Sequence, residues 1–352
     1  MAYTTINKST DYFNTVLYTG NGSTQSITGV GFQPDWLWIK PRSSANRHTL
    51  YDVLRGTNSI SSDSNAAQVD RSADGFTSLD SDGFTLNGSG AGGDTNYNSR
   101  THVAWNWKTG TTGSGTTTGS GTGKAYSYSV NTTSGFSIVK YLGNGTAGHT
   151  IPHHLGAVPQ MVIYKNMDAQ ADWLVYHHKV GNDKEMALNS SATEQTSAVF
   201  NNTTPTSTVN TVQTNSGNNT NDANYVMYSF AEKTGFSKFS SYVGNGNDDG
   251  AIIYTGFKPA WFLVKCTTYG GQNWIMFDNK RDPYNEMNKG LRANTTDAED
   301  SSTSYNDVDF LSNGIKIRED NDNVNKSGET YIYMAFAEAP LVGSNNIPAT
   351  AR

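Results

Sequence analysis

Half-charged surfaces, paired cysteines and long apolar runs are all missing from this 352-residue chain. Charged residues make up only 16%, with a net charge of −6 at pH 7. This removes the basic footprint by which proteins hold nucleic acid. The single cysteine, Cys266, excludes an internal disulfide, and in the strand-like stretch Trp261-Phe-Leu-Val-Lys-Cys266 it reads as a small buried residue. No apolar run approaches the ~20 residues of a membrane-spanning helix, and no charged-then-apolar leader opens the chain. The expectation is folding in a cytoplasm, with release by a route such as lysis. Helix formers are scarce, and no heptad segment appears. What fills the space is Gly (35), Tyr (19), Asn, Thr and Ser, residues of strands and turns. The composition predicts an all-β protein.

The chain is self-similar three times over. Tyr18-Thr-Gly20-Asn21-Gly22 returns as Tyr141-Leu-Gly143-Asn144-Gly145 and as Tyr242-Val-Gly244-Asn245-Gly246. Each is followed by a proline-marked apolar run that ends on lysine six residues after the proline: Pro34 to Lys40, Pro159 to Lys165 and Pro259 to Lys265. An aromatic block closes each copy: His102-Val-Ala-Trp-Asn-Trp107, Tyr225-Val-Met-Tyr-Ser-Phe230 and Tyr331-Ile-Tyr-Met-Ala-Phe336. Gly20 to Trp107 and Gly143 to Phe230 both span 87 positions, whereas Gly244 to Phe336 spans 92, so the third copy carries a short insertion.

Gly-Asn-Gly accepts positive φ and predicts a turn between strands. Proline opens the next strand because it has no amide to give a sheet interior. The continuous apolar run after it predicts a strand covered on both faces. Short strands with Gly/Asn turns at this spacing predict three tandem β-sandwich modules of jelly-roll type. A lead-in covers 1–10, and the repeats cover 11–108, 134–235 and 236–341, with a tail at 342–352. Residues 109–133 read as a Gly/Ser/Thr-rich linker, since Thr109–Gly123 is almost pure Thr, Ser and Gly. On this reading copies two and three pack as a rigid pair and copy one moves more freely.

The opening stretch Met1 to Asn14, the segments Ile27–Trp36, Val103–Lys108, Val175–His178, Phe230–Lys233 and Tyr331–Pro340, and the end Val342–Arg352 resemble a repeat domain of undefined activity found in virion and tail-fibre-like proteins of marine bacteriophages. The resemblance covers nearly the whole chain and implies a lectin-like sandwich. It also implies a virion protein assembled in the host cytoplasm: a tail-fibre or receptor-binding subunit contacting host-surface glycans. The alternative is a capsid or tail decoration protein with no receptor of its own, and a polysaccharide-degrading enzyme is more remote. The expected partners are other virion proteins, host polysaccharide and further copies of the chain, a trimer being favoured. Neither nucleic acid nor membrane insertion is expected.

Candidate chemistry is sparse. Five of the seven histidines lie in copy two, and His149, His153 and His154 form the densest set for a transition metal, although their spacing is irregular, no carboxylate or cysteine completes a set, and packing in loops and strand edges is the plainer reading. The run from Glu319 to Glu329 alternates oxygen side chains as calcium loops do, with Asp320 and Asp322 as candidate ligands, against the plainer reading of a solvated turn. Glu232 and Glu338 recur at module ends without facing acids, and no Ser-His-Asp or nucleotide-binding pattern is present. No catalytic residue and no cofactor is assigned. Trp173 and Trp274 match in position and read as core, and the polar loops Ser59–Gln68 and Asn215–Asp222 are where specificity would sit.

Overall fold

The third strand of each copy decides the architecture, because neither of its faces meets water. In Trp36–Pro41 every residue is buried, as in Met161–Asn166. Trp36 and Trp38 point into one core while Leu37 and Ile39 point into another. Met161 and Ile163 are parted from Val162 and Tyr164 in the same way. Side chains alternate across a strand, so a continuous apolar run requires a cover on each side.

The computed structural model describes residues 3–88, 94–300, 307–343 and 348–350. Among these the chain is antiparallel β throughout, and the only helix is a 3-10 turn at Ser9–Asp11. One strand order occurs three times. The opening strands are Phe13–Thr19, Phe136–Leu142 and Ser237–Val243, and the closing strands are Thr101–Trp107, Asn224–Phe230 and Thr330–Pro340. Opening pairs with closing, closing with the third strand, and the third with a fourth (Thr49–Asp52, Leu174–His177, Ile275–Asp278). A small second sheet pairs the second strand with the penultimate one: Gln25–Thr28 with Gly83–Leu86, His149–Pro152 with Val209–Val212, and Ile252–Tyr254 with Gly314–Ile317. The apolar face between the two sheets is each copy's own core.

The opposite faces of the three main sheets form one shared core. Trp107, Phe230 and Phe336 close their respective copies, and they meet here. Trp107 lies 5.7 Å and Phe230 6.3 Å from Phe336. Trp36 stacks on Tyr228 at 4.8 Å, and Phe13 on Phe336 at 5.3 Å. Equivalent residues gathered in one core, with Phe336 touching both others, place the three copies around a pseudo-threefold axis.

Polar ties around the axis repeat the same symmetry. The residue before each fourth strand donates a ring N–H to the carbonyl of one position in the preceding copy. Trp173 donates to Ser61 O (3.0 Å), Trp274 to Ala187 O (3.0 Å), and His48 to Arg292 O (2.9 Å). His48 is the neutral tautomer with Nε2–H, since its Nδ1 accepts from Trp38 Nε1 at 2.8 Å. The lysine that ends each proline-started run donates four residues farther on in the same neighbouring loops: Lys165 to Asn65 O (3.0 Å), Lys265 to Ser191 O (3.2 Å) and Lys40 to Thr296 O (3.3 Å). Backbone bonds complete the set, from Gln68 N to Met167 O (3.0 Å), Glu194 N to Thr267 O (2.9 Å) and Glu299 N to Arg42 O (2.8 Å). Copy one therefore grips three, two grips one, and three grips two.

This arrangement corrects two expectations. Copy one does not stand apart, because its Trp36, Trp105 and Trp107 are integral to the shared core. Nor is the stretch after Lys108 a free linker. Thr111–Thr116 pairs with Ala125–Asn131, which adds to the opening strand of copy two and extends that sheet to eight strands. Thr118–Gly119 joins the small sheet. Composition misleads here because Gly113 and Gly115 lie directly under the rings of Tyr128 and Tyr126, where a Cβ would collide. The segment is anchored to copy one as well, since Thr109 N donates to Asp35 Oδ2 at 2.7 Å.

Two outcomes are expected. Calorimetry gives a single unfolding transition for all three copies, and a separately melting copy one would contradict the shared core. Urea unfolding separates two buried tryptophans that lose the same atoms on mutation. Trp173→Phe, which also strands the carbonyls of Ser61 and Ser64, is destabilising by about 1–3 kcal/mol more than Trp107→Phe, whose indole N–H has no partner to lose.

Candidate functional site

The repeated Tyr-x-Gly-Asn-Gly turns are the first place to look for shared chemistry, and they prove to be clasps. Each tyrosine hydroxyl donates to a backbone carbonyl in the loop before the closing strand: Tyr18 to Thr95 O (2.5 Å), Tyr141 to Asn218 O (2.6 Å) and Tyr242 to Val324 O (2.5 Å). The next residue in that loop is a fully buried asparagine (Asn96, Asn219, Asn325). Its Oδ1 accepts from the turn amides Asn21 N (3.1 Å), Asn144 N (2.8 Å) and Asn245 N (3.0 Å). The first glycine has no room for a Cβ against the same loop backbone, and the last adopts φ of 70°, 69° and 64°. These asparagines escaped the sequence reading. Their signal was present, since each lies eleven positions before the last aromatic of its closing block.

A second missed pair is Asp52 with Arg55 and its counterpart Asp278 with Arg281, Asp-x-x-Arg in both copies. Asp52 Oδ2 accepts from Arg55 Nε (2.5 Å) and from Tyr228 Oη of copy two (2.7 Å). Asp278 Oδ2 accepts from Arg281 Nε (2.5 Å) and from Trp105 Nε1 of copy one (3.0 Å). In copy two His177 takes this place, aligned with Met161 as Asp278 is with Trp261. These buried polar groups join copies and have no opening to solvent.

The histidines are dispersed. The ring of His149 bridges Thr117 Oγ1 (2.6 Å) and Asn219 Oδ1 (3.2 Å). His153 accepts from Leu155 N and donates to Thr206 O at 3.1 Å. His154 stacks on Tyr128 at 3.7 Å, with Nε2 3.0 Å from Tyr126 Oη. Their nitrogens are occupied separately, as loop-packing groups are. Among the described residues, the one set of three metal-capable side chains whose ligand atoms converge is Asp248, Glu319 and Asp320, within 4.8 Å of one another. Asp320 thus joins a cluster, whereas Asp322 pairs with Lys326 at 2.9 Å. Beside the cluster Asp248, Asp249, Glu286, Arg318 and Glu319 line an open cleft of about 380 Å³. Partial burial, then the charges of Asp248, Asp320 and Glu286, push the Glu319 carboxyl above its ordinary range.

The other expectations resolve simply. Glu232 pairs with Lys238 in the opening strand of copy three at 2.7 Å, and Glu338 with Lys258 within copy three at 3.4 Å. Trp173, Trp274 and Cys266 are buried. The loops proposed for specificity are partly internal: Ser61, Ser64 and Asn65 receive copy two through their carbonyls and Asn218 and Asn219 are buried in their own clasp, while Ser216, Thr220, Asn221 and Asp222 stay exposed. Most of the glycine run Gly88–Gly93 lies outside the described residues, as does part of the tail. Large apolar and aromatic side chains that do reach solvent concentrate on copy three, which holds Val243, Ile252, Tyr254, Tyr269 and Tyr284, five of the ten among the described residues.

The fold and these sites define an all-β, multi-sheet protein whose repeated polar residues serve assembly of the chain itself. A family model, a domain of unknown function (DUF7483), matches residues 8–340, and the chain belongs to that family. One match runs through all three copies. No curated protein and no solved structure matches.

The buried imidazoles make the fold acid-sensitive. Burial holds His102 and His153 near a pKa of about 4 and His177 near about 3, against an ordinary value of 6.5. Between those values the unfolded chain binds more protons than the folded one, so this stability is complete above pH 6.5 and falls away as pH drops towards 3. Urea midpoints should decline steadily from pH 7 to pH 4, and a flat profile would contradict neutral, buried histidines. Burial likewise lowers Lys40, Lys165 and Lys265 to about 8, so raising pH from 8 towards 10.5 relieves a penalty and adds stability.

Proposed function

We propose that the chain is a non-enzymatic bacteriophage virion protein, a tail-fibre or receptor-binding subunit that meets host-surface glycans. The observation that carries this reading is the division between inside and outside. Every element common to the copies is spent inside, the clasp asparagine on its own copy and the terminal lysine and closing aromatic on holding the three together, and what faces outward differs from copy to copy. A rigid body presenting three unlike sets of polar loops suits attachment, where many weak contacts add by avidity. The modules are read as lectin-like β-sandwiches related to the jelly roll: the opening–closing pair and the second–penultimate pair nest as in a rolled hairpin. The third-to-fourth hairpin within the main sheet is a departure from two four-stranded Greek keys.

On this reading copy three is the host-facing lobe. Ile252, Tyr254 and Tyr284 are 67%, 58% and 77% exposed, and tyrosine is suited to stacking on sugar rings. The N-terminal lead-in is tied down beside it, with Tyr3 Oη donating to Gly256 O at 2.6 Å.

Two measurements test the proposal together. Electron microscopy of particles places the protein on the tail or its fibres, and purified, multimerised protein binds host cells and a subset of arrayed glycans. Tyr254→Ala with Tyr284→Ala lowers that binding at least fivefold without a change in melting temperature. Copies distributed over the capsid lattice, with no glycan or cell binding at high valency, would make it a decoration protein instead. Shortened chains after incubation with host polysaccharide would make it an enzyme.

A further inference from the structure

We infer that copy three carries a calcium site formed by Asp248, Glu319 and Asp320, with Asp307 behind them. Two oxygens bound to one calcium at about 2.4 Å lie no more than about 4.8 Å apart, and the ligand atoms of the three front residues meet this limit. All candidate donors are carboxylate oxygens on loops, which suits a large, hard cation tolerant of irregular geometry.

The independent observation is Asp307. It is only 6% exposed, yet its Oδ1 has no hydrogen-bond partner. In the small sheet Val308 is opposite Ile317, which places Asp307 beside Arg318, whose amide donates to Asp307 O at 2.9 Å. Neighbours across an antiparallel pair send their side chains to the same face. Arg318 lines the cleft, so Asp307 lies on the face of the small sheet that borders it. The carboxylates of Glu319 and Glu286 are the charges that act on it most strongly. A carboxylate left without a partner beside other acids is costly to ionise, and either a proton or a bound cation offsets that cost.

The scaffold already holds the two ligand loops in register. Asn325 Nδ2 donates to Asn247 O (2.8 Å) in one and to Glu319 O (3.0 Å) in the other. Arg318 is engaged by Glu286 (3.2 Å) and Asp309 (3.5 Å), and Lys316 by Asp249, so the nearby cations do not neutralise Asp248, Glu319 and Asp320. The site belongs to copy three alone: after the same turn, copies one and two carry Ser23-Thr24 and Thr146-Ala147. A bound ion would pin the outer rim beside Ile252 and Tyr254. This inference does not depend on the receptor reading.

Calorimetric titration of the EDTA-stripped full chain with CaCl2 tests it. The expected result is one saturable calcium per chain with a higher melting temperature, and at least tenfold weaker affinity in each of Asp248→Asn, Glu319→Gln and Asp307→Asn. The first two replace exposed or half-buried groups, and their melting in EDTA should match that of the parent. Absence of saturable binding up to about 10 mM, above the range of weak extracellular calcium modules, would overturn the site. So would binding indifferent to all three variants, and equal affinity for MgCl2 would overturn its assignment to calcium.

Discussion

Burying a β-sheet on both faces is the constraint on which this molecule depends. A sheet with one apolar face is satisfied by a single partner layer, but each main sheet here is apolar on both. The small second sheet covers one side. The other would expose Trp36, Trp105 and Trp107 in copy one, or Tyr228 and Phe230 in copy two, to water, at roughly 1.5–3 kcal/mol for each large apolar side chain left out. Three such faces meeting about an axis cover one another. Repetition of the module is thus a solution to a burial problem before it is anything to do with binding.

Close packing alone does not fix which copy meets which. Direction comes from the side-chain ties, each of which runs from one copy to the loop of its predecessor. Donors are lysine, tryptophan and histidine, and the acceptors are main-chain carbonyls, so the loops that receive them are free to vary in side chain while keeping their backbone path. This explains why Ser61, Ala187 and Arg292 occupy one structural position. Where side chains do pair across copies, as in Asp52 with Tyr228 and Asp278 with Trp105, the sequence varies in a correlated way and copy two breaks the pattern with His177.

Much of this was legible from residues. The turn, the proline-started strand, the closing aromatic strand and the all-β class follow from period and composition, and two-sided burial follows from runs such as Trp36-Leu-Trp-Ile. What escaped was long-range. A lysine at the end of a strand looks solvated until its neighbour's carbonyl is known, and Asn219 looks like one more loop residue until the turn it clasps is in view. Thr109–Gly123 failed for a different reason: glycine was counted as flexible, whereas Tyr126 and Tyr128 make it a requirement of packing. Of the candidate metal ligands, Asp320 proved to have convergent neighbours contributed by a distant turn, which spacing alone does not reveal.

Scattering in solution tests the closed three-copy body most directly. A compact 352-residue chain has a radius of gyration of about 20 Å. The account predicts that value, with a bell-shaped Kratky profile unchanged by dilution. A markedly larger radius for the monomer, with a profile fitted by one lobe moving against a pair, would show that copy one is tethered and not interlocked.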